Sequence, residues 1–93
     1  MRGHHLWDPA KAASNLAKHG VDFAEAAQVL DDPHRRERVD PGSRGELRFQ
    51  AIGTASGRTL FVSYTLRGAV CRIISVRRAS RREREAYTVS PGS

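Results

Sequence analysis

Cysteine is almost absent from this chain of 93 residues, which contains only Cys71. Secreted domains of this size usually carry several disulfides, because a small core needs the extra cross-links. A single cysteine has no partner within the chain, so a disulfide-stabilised scaffold is excluded. We therefore expect a protein of the cytoplasm, where thiols stay reduced.

Long hydrophobic runs are also missing. No segment approaches the roughly 20 apolar residues that a membrane-spanning helix needs. Residues 1–5 contain no apolar run and do not form a signal peptide. The sequence therefore predicts a chain that is neither embedded in a membrane nor exported by a visible signal.

Residues that hold metal ions or nucleotide phosphates are few. The four histidines lack the spacing of a metal site, and one cysteine does not complete one. Gly53 and Gly57 are better interpreted as turn residues between strands than as a phosphate-binding loop. We expect neither a metal nor a cofactor.

Basic residues, by contrast, are abundant and unevenly placed. The chain has 16 Lys and Arg against 10 Asp and Glu, a net charge of +6. Residues 1–33 contain three basic and five acidic side chains (−2), and residues 34–93 contain thirteen and five (+8). Such asymmetry is typical of proteins that bind nucleic acid, an anionic membrane or an acidic protein. A merely solvated basic face is the alternative, and RNA is the polyanion that we favour.

The first third of the chain has the pattern of two short helices. Asp8 is a good N-cap, Pro9 suits the first helical position, and Gly20 provides the stop. Asp22 and Glu25 have the spacing of a capping box and begin a second helix, which ends at residues 31–33. The buried stripe expected on the first helix consists of Ala13, Leu16 and Ala17.

The rest of the chain changes to the alternating period of β-strands. In one strand Leu47, Phe49 and Ala51 would share a buried face. Ser80 and Glu83 then begin a short helix that ends near residue 87. The expected strands are residues 34–40 (a weak, charged edge), 46–52, 59–66 and 70–76, with a loop at 53–57 and a tight hairpin at 67–69.

Together these elements predict one domain over residues 1–93, with its core at about residues 7–87. Runs of helix followed by runs of strand indicate an α+β fold. Two N-terminal helices would pack on a small antiparallel sheet of about four strands, followed by a short C-terminal helix.

A cluster of arginines near the C-terminus is the strongest candidate for polyanion binding, because a guanidinium makes paired hydrogen bonds to phosphate. Arg81 and Arg82 would lie in the first turn of a helix, where cations oppose the helix dipole, so stability alone does not favour them there. Alternation places Arg72 and Arg77 on opposite faces of their strand unless a bulge intervenes. The cluster consists of Arg67, Arg72, Arg77, Arg78, Arg81, Arg82 and Arg84.

Three further residues are candidates for chemistry beside these arginines. Glu46 and Arg48 share one face of a strand, as a potential base and a phosphate ligand, and an exposed ion pair is the alternative interpretation. His19 closes the first helix beside Lys18. There a protonated imidazole caps the helix, or it serves as a general acid or base or contacts phosphate.

Two groups of residues carry a family resemblance. The first group opens the chain with Trp7-Asp8, Lys11, Asn15, Lys18-His19-Gly20 and Phe23. The second closes it with Arg72-Ile73-Ile74-Ser75, Arg77, Ala79, Glu83-Arg84 and Tyr87. With these residues in this order, the chain resembles the BrnT family of bacterial toxins. Members of that family usually begin with a short apolar strand before the Trp-Asp pair, and residues 1–6 are less apolar than that.

The resemblance implies a RelE-like ribonuclease fold, metal-independent cleavage of RNA and arrested translation. It also implies neutralisation by a ribbon-helix-helix antitoxin of the BrnA type, which alone would contact operator DNA directly. The chemistry it suggests is attack of the ribose 2′-OH on the adjacent phosphate. In that reaction we expect Arg67 and Arg77 to hold the phosphate, Arg48 to support them, and Glu46 or His19 to act as acid or base. The remaining RNA-binding candidates are Lys18, Arg72, Arg78, Arg81 and Arg82.

Two other functions stay open at this level. One is a non-catalytic module whose basic face holds an acidic antitoxin segment. The other is a nucleic-acid-binding regulator that does not cleave. The chain has no recognisable helix-turn-helix and few aromatic residues for base stacking, which weighs against the regulator.

Overall fold

The computed structural model describes residues 5–88 and has the expected α+β architecture, with three helices and one sheet. The helices are α1 (Pro9–His19), α2 (Phe23–Leu30) and α3 (Arg81–Thr88). The strands are β1 (His5–Leu6), β2 (Arg36–Val39), β3 (Phe49–Ala55), β4 (Arg58–Arg67) and β5 (Val70–Arg78).

The sheet has five strands in the order β1-β5-β4-β3-β2, so the expectation of about four is short by one. Strands β2 to β5 are antiparallel neighbours, whereas β1 pairs in parallel with β5 through His5–Cys71 and Leu6–Arg72. Two residues are too few to show an alternating pattern, which is why the sequence did not reveal β1. Residues 1–4 and 89–93 lie outside the described part.

The predicted helix ends are confirmed. Asp8 caps α1 by accepting from the Ala10 N–H at 2.9 Å, and Gly20 ends it in the left-handed conformation at φ 68°. Asp22 and Glu25 form the capping box of α2. At α3 the Ser80 hydroxyl accepts from the Glu83 N–H at 3.2 Å, and the Glu83 carboxylate accepts from the Ser80 N–H at 2.8 Å.

The stripe expected on α1 is wrong, because Ala13, Leu16 and Ala17 are all exposed. The buried residue of this helix is Asn15, which lies against the edge of β5. Its amide donates to the Val76 carbonyl at 2.8 Å and accepts from the Val76 N–H at 3.2 Å. Asn15 therefore binds β5 as a neighbouring strand would, beyond the point where β1 ends.

The core lies between the sheet and the α1–α2 layer. Its largest fully buried side chains are Phe23, Leu60, Ile73, Val21, Val29, Val62 and Val76. Trp7 packs edge-on against Phe23, with 6.1 Å between ring centroids. We call the face of the sheet that meets α1 and α2 the inner face, and the opposite face the outer face.

Strand β3 departs from the predicted bounds at both ends. Leu47 precedes the strand and is exposed, contrary to the expected buried stripe. The expected loop at 53–57 is strand as far as Ala55, followed by a tight turn at Ser56 and Gly57, both with positive φ. Gly53 lies under α2, where an added Cβ would stand only 3.0 Å from Val29 Cγ1, so helix and sheet meet closely there.

Candidate nucleic-acid interface

A β-bulge in β5 brings arginines to the outer face. Ser63 pairs with Ser75 and Tyr64 with Ile73, so Ile74 is an extra residue on the β5 side. Because of this extra residue, Cys71, Ile73 and Val76 all reach the core, although strict alternation would not allow it. Arg72 and Arg77 consequently lie on the outer face together. The bulge is the exception that the alternation argument allowed for.

Two rows of side chains cross the outer face in register. One row runs Arg36, Ile52, Phe61, Arg77 across strands β2, β3, β4 and β5. The next runs Arg38, Gln50, Ser63, Ser75 across the same strands. Both rows carry arginine at the β2 edge of the sheet, and the first carries it on β5 too. The face is thus basic at its borders and neutral in its centre.

At one end of this face, Arg77 connects the sheet to α3. Its two terminal nitrogens donate to the two carboxylate oxygens of Glu83, both at 2.9 Å. Its guanidinium also lies over the Phe61 ring, 4.2 Å from the centroid. The hydrogen bonds from Arg77 and from the Ser80 N–H hold the pKa of Glu83 below its usual value despite partial burial. Arg77 is therefore held in a fixed orientation, with a carboxylate where a phosphate would fit.

A groove of about 550 Å³ lies between α3 and strands β2 and β3 on the outer face. Its lining includes apolar Ile52, Phe61 and Ala86, basic Arg36, Arg38 and Arg82, and acidic Glu37 and Glu83. Arg36 donates to the Ala86 carbonyl at 3.1 Å, which ties β2 to α3 across the groove. Within residues 5–88, Arg82 makes no hydrogen bond or ion pair of its own, so its charge is available to a ligand.

At the other end of the outer face, Arg67 and Glu46 form a second paired contact. The Arg67 Nε donates to Glu46 Oε2 at 2.7 Å and its Nη2 to Oε1 at 3.2 Å. The hydrogen bonds and charge of Arg67, with the charge of Arg72, lower the pKa of Glu46. Both side chains are solvent-exposed. The outer face thus has an arginine–carboxylate pair at each end.

These features agree with a comparison against protein families. The model of one family, described as the ribonuclease toxin BrnT of type II toxin–antitoxin systems, matches residues 7–83. The chain belongs to this family. It is accordingly a ribonuclease toxin of a type II system, and it has an antitoxin as partner. No curated protein matches the chain.

The other predicted site residues are dispersed over the surface. Arg48 lies beside the Glu46 end, 3.7 Å from the Asp40 carboxylate. Arg81 pairs with Glu85 at 3.3 Å on the exposed side of α3. Arg78 is in register with the core residue Leu60 and so belongs to the inner side of β5.

His19 and Lys18 form the last turn of α1, in the helix layer. The structure therefore brings Arg72 and Arg77 to the same face as Glu46 and Arg67. It does not bring His19 to that face.

Two basic residues of the BrnT outer face, Arg36 and Arg38, were not predicted from the sequence. They lie two apart on an edge strand, and that alternation was the signal that could have identified them. Gln50 and Phe61 were missed because a polar residue or a single aromatic in a strand has no distinctive pattern. Only the register across β2, β3 and β4 shows that these residues meet.

The position of α3 depends on Asp32 at the end of α2. The Tyr87 hydroxyl donates to Asp32 Oδ2 at 2.7 Å, and the Thr54 and His34 N–H groups each donate to Asp32 at 2.8 Å. Burial alone would raise the pKa of Asp32, but these hydrogen bonds outweigh it and hold the pKa below the ordinary 3.8. Asp32 thus joins α2, β3 and α3.

Tyr64 belongs to the core of the inner face. It is buried, stacks on Phe49 with 5.6 Å between ring centroids, and donates to the Glu37 carboxylate. Burial and the negative charge of Glu37 raise its pKa.

No helix of the described part is long and apolar enough to cross a membrane. Nor does any group of three or more His, Cys, Asp or Glu side chains with metal-binding potential occur in residues 5–88.

Proposed function

We propose that this chain cleaves RNA bound across the outer face of its sheet, without a metal ion. The observation that supports the proposal most is the shared face of Arg72 and Arg77, which follows from the bulge at Ile74. Guanidinium groups are suited to a reaction that places negative charge on phosphate oxygens, because they donate paired hydrogen bonds and keep their charge. The metal-free step, the RelE-like ancestry of the fold and arrested translation belong to the same proposal.

Arg77 and Arg67 are the proposed phosphate ligands. In the free protein each makes a paired contact with a carboxylate, Glu83 or Glu46. A phosphate offers the same two-oxygen geometry, so RNA can replace the carboxylate without moving the arginine far. Arg48 supports the Arg67 end, and Arg72 lies beside it.

Glu46 is the proposed acid–base group. As a carboxylate it takes the proton from the ribose 2′-OH while the 2′ oxygen bonds to phosphorus and the P–O5′ bond breaks. The protonated Glu46, or water, then returns a proton to the leaving 5′ oxygen, so the products are a 2′,3′-cyclic phosphate and a 5′-OH. Glu46 is preferred because it contacts a proposed phosphate ligand.

His19 is the alternative acid or base, so the His19→Ala variant is to be compared with a variant of Glu46. It lies in the helix layer beside Lys18, away from the arginine–carboxylate pairs. The remaining RNA contacts are assigned to Arg81 and Arg82 of α3. Roles for Arg78, which lies on the inner side of β5, and for Lys18 stay predictions from sequence.

The antitoxin partner is proposed to be a ribbon-helix-helix protein of the BrnA type. An acidic segment of it would cover the outer face and compete with RNA for the same arginines. Operator DNA would be bound through the antitoxin, with this chain as co-repressor. The basic outer face supports such a segment as well as it supports RNA, so antitoxin binding alone does not establish catalysis.

The test is cleavage of a defined single-stranded RNA by the antitoxin-free chain in EDTA. We expect cleavage by the parent, and a loss of roughly 100-fold or more for Arg67→Ala, the range typical of one removed transition-state donor, because Arg67 is the arginine that contacts Glu46. Lys11→Ala, which removes an exposed cation of α1 in the helix layer, is the matched control and should cleave as the parent does. Equal activity of the Arg67→Ala variant would exclude the proposed site. A folded parent that cleaves no RNA would favour the non-catalytic, antitoxin-binding role.

A further inference from the structure

The groove between α3 and strands β2 and β3 is larger than phosphate contacts alone require. At about 550 Å³ it is within the size range of small-molecule pockets. We propose that it is a subsite for one unpaired RNA base and that it prefers guanine to adenine. The inference rests on the proposed RNA-cleaving function, and it adds a base-recognition site to the phosphate contacts.

Two polar side chains of the groove, Arg38 and Gln50, are arranged as hydrogen-bond donors. The Arg38 Nε donates to the Gln50 side-chain oxygen at 2.7 Å. An arginine nitrogen only donates, so this bond fixes the orientation of the Gln50 amide. The Gln50 NH₂ group and the terminal nitrogens of Arg38 are then left as adjacent donors in the groove lining.

The apolar lining lets a base enter flat. Ile52 and Phe61 are neighbours across β3 and β4, and both line the groove. The Phe61 ring is nearly buried and is held under Arg77. A base placed against these two side chains would be near Arg77, the proposed phosphate ligand. Arg82, which has no partner of its own within residues 5–88, can contact the phosphate of that nucleotide.

The two adjacent donors of the groove distinguish guanine from adenine. Guanine presents two adjacent acceptors, O6 and N7, along one edge, whereas adenine presents an acceptor beside the N6 donor group. Two adjacent donors, from Gln50 and Arg38, match guanine and leave the adenine amino group facing another donor. The groove therefore predicts recognition of guanine over adenine.

The direct test is titration of the ¹⁵N-labelled chain with 5′-GMP and separately with 5′-AMP, followed by NMR. Both nucleotides carry the same phosphate, so a difference between them reports the base alone. We expect shifts at Gln50, Ile52 and Ala86, and tighter binding of 5′-GMP by roughly fivefold or more, the lower limit for a good paired contact.

Two substitutions separate base recognition from charge. In Gln50→Glu, which preserves the side-chain shape, the donors become acceptors, and the preference for 5′-GMP should be lost. In Arg82→Ala both nucleotides should bind more weakly while the preference remains. Arg44→Ala, outside the groove, should change neither. Equal binding of the two nucleotides by the parent, or shifts away from the groove, would overturn the inference.

A cleavage assay shows whether the base subsite or the RNA-cleaving function is excluded. If the parent cleaves RNA and Gln50→Glu cleaves at the same positions and rates, the function stands and the base subsite is excluded. If the parent does not cleave but binds 5′-GMP selectively through Gln50, the subsite stands and the function is excluded.

Discussion

Arg72 and Arg77 lie on the same face of β5, although their separation of five positions would place them on opposite faces of a regular strand. The bulge at Ile74 causes this arrangement, since Ser63 pairs with Ser75 while Tyr64 pairs with Ile73. About four strand steps of ~3.3 Å separate the two side chains, or roughly 13 Å. Two arginines at that spacing contact different phosphates of one strand. The outer face is therefore suited to a length of RNA and not to a single phosphate.

Removing one of these arginines is expected to reduce the salt dependence of RNA binding. Each phosphate contact to single-stranded nucleic acid contributes a slope of about 0.7 in log K against log salt. Arg72→Ala should therefore bind a short RNA more weakly, with a slope lower by about 0.7. Fluorescence anisotropy between about 50 and 200 mM salt measures this.

Lys11→Ala is the control for this prediction, because Lys11 is an exposed cation of α1 in the helix layer. The slope of log K against log salt for Lys11→Ala should equal that of the parent. A lower slope for Lys11→Ala, with Arg72→Ala unchanged, would place the RNA on the helix side of the molecule.

Asn15→Ala is expected to destabilise the fold strongly. It removes the bonds that the buried amide makes to both backbone groups of Val76, and a third to the Val21 carbonyl at 3.0 Å. Buried groups without partners cost about 1–3 kcal/mol each, partly recovered by water, so we expect a loss of about 2–4 kcal/mol. Urea unfolding measures it as a lower midpoint with an unchanged slope. The neighbouring, exposed Ser14→Ala should cost within about 0.5 kcal/mol, and a similarly small cost for Asn15→Ala would contradict the account.

Structural features that depend on residues close together in the sequence were predicted, whereas features that depend on the pairing of strands were not. The caps at Asp8, Asp22 and Ser80 were predictable, because a cap involves residues only two or three positions apart. The burial of Asn15 was not, since an asparagine in an alanine-rich helix looks like a solvent-facing residue. It is buried because β1 ends early and leaves the edge of β5 uncovered.

The candidate site was predicted in part for the same reason. A count of arginines was enough to locate the basic region, and Glu46 was identified beside Arg48 from strand alternation. The actual partner of Glu46 is Arg67, 21 positions away, and pairing over that distance is set by the sheet register. The bulge at Ile74 has no sequence signal of its own, so only the structure places Arg77 with Arg72.

The pH dependence of cleavage distinguishes Glu46 from His19. A base must be ionised, and the contact with Arg67 holds the pKa of Glu46 below 4.5 in the free protein. The acid limb of kcat/KM should therefore lie below pH 4.5. When an RNA phosphate replaces Glu46 at Arg67, that contact no longer lowers the pKa of Glu46. The acid limb of the kcat profile should therefore lie at a higher pH than the acid limb of the kcat/KM profile.

Two variants accompany this profile. Glu46→Gln should lose roughly 100-fold or more in rate, the range typical of a removed acid or base, whereas His19→Ala should retain the parent rate. A catalytic histidine would give a limb near about pH 6.5. A limb there that disappears in His19→Ala would transfer the role to His19.

Tyr87→Phe is expected to loosen α3 in a pH-dependent manner. Above about pH 4 Asp32 is ionised and the lost hydrogen bond to it should cost about 1 kcal/mol, after allowance for its partial exposure. Because the folded-state pKa of Asp32 is lowered, its contribution is present above the unfolded value of 3.8 and is lost as the pH falls through the folded value.

The difference in unfolding free energy between parent and Tyr87→Phe should therefore be largest at neutral pH and shrink below pH 3.8. Urea titrations at both pH values measure it. A difference that grows as the pH falls would contradict the role given to Asp32.

The most direct test of the central claim is to map where RNA lies on the molecule. A fully 2′-O-methylated RNA lacks the free 2′-OH needed for cleavage, so it forms a stable complex with the ¹⁵N-labelled chain. We expect the chemical shifts of Arg72, Ser75, Arg77 and the groove beside α3 to change, while the chemical shifts of α1 and α2 stay unchanged. Shifts concentrated on α1 and α2, with the outer face unchanged, would contradict it.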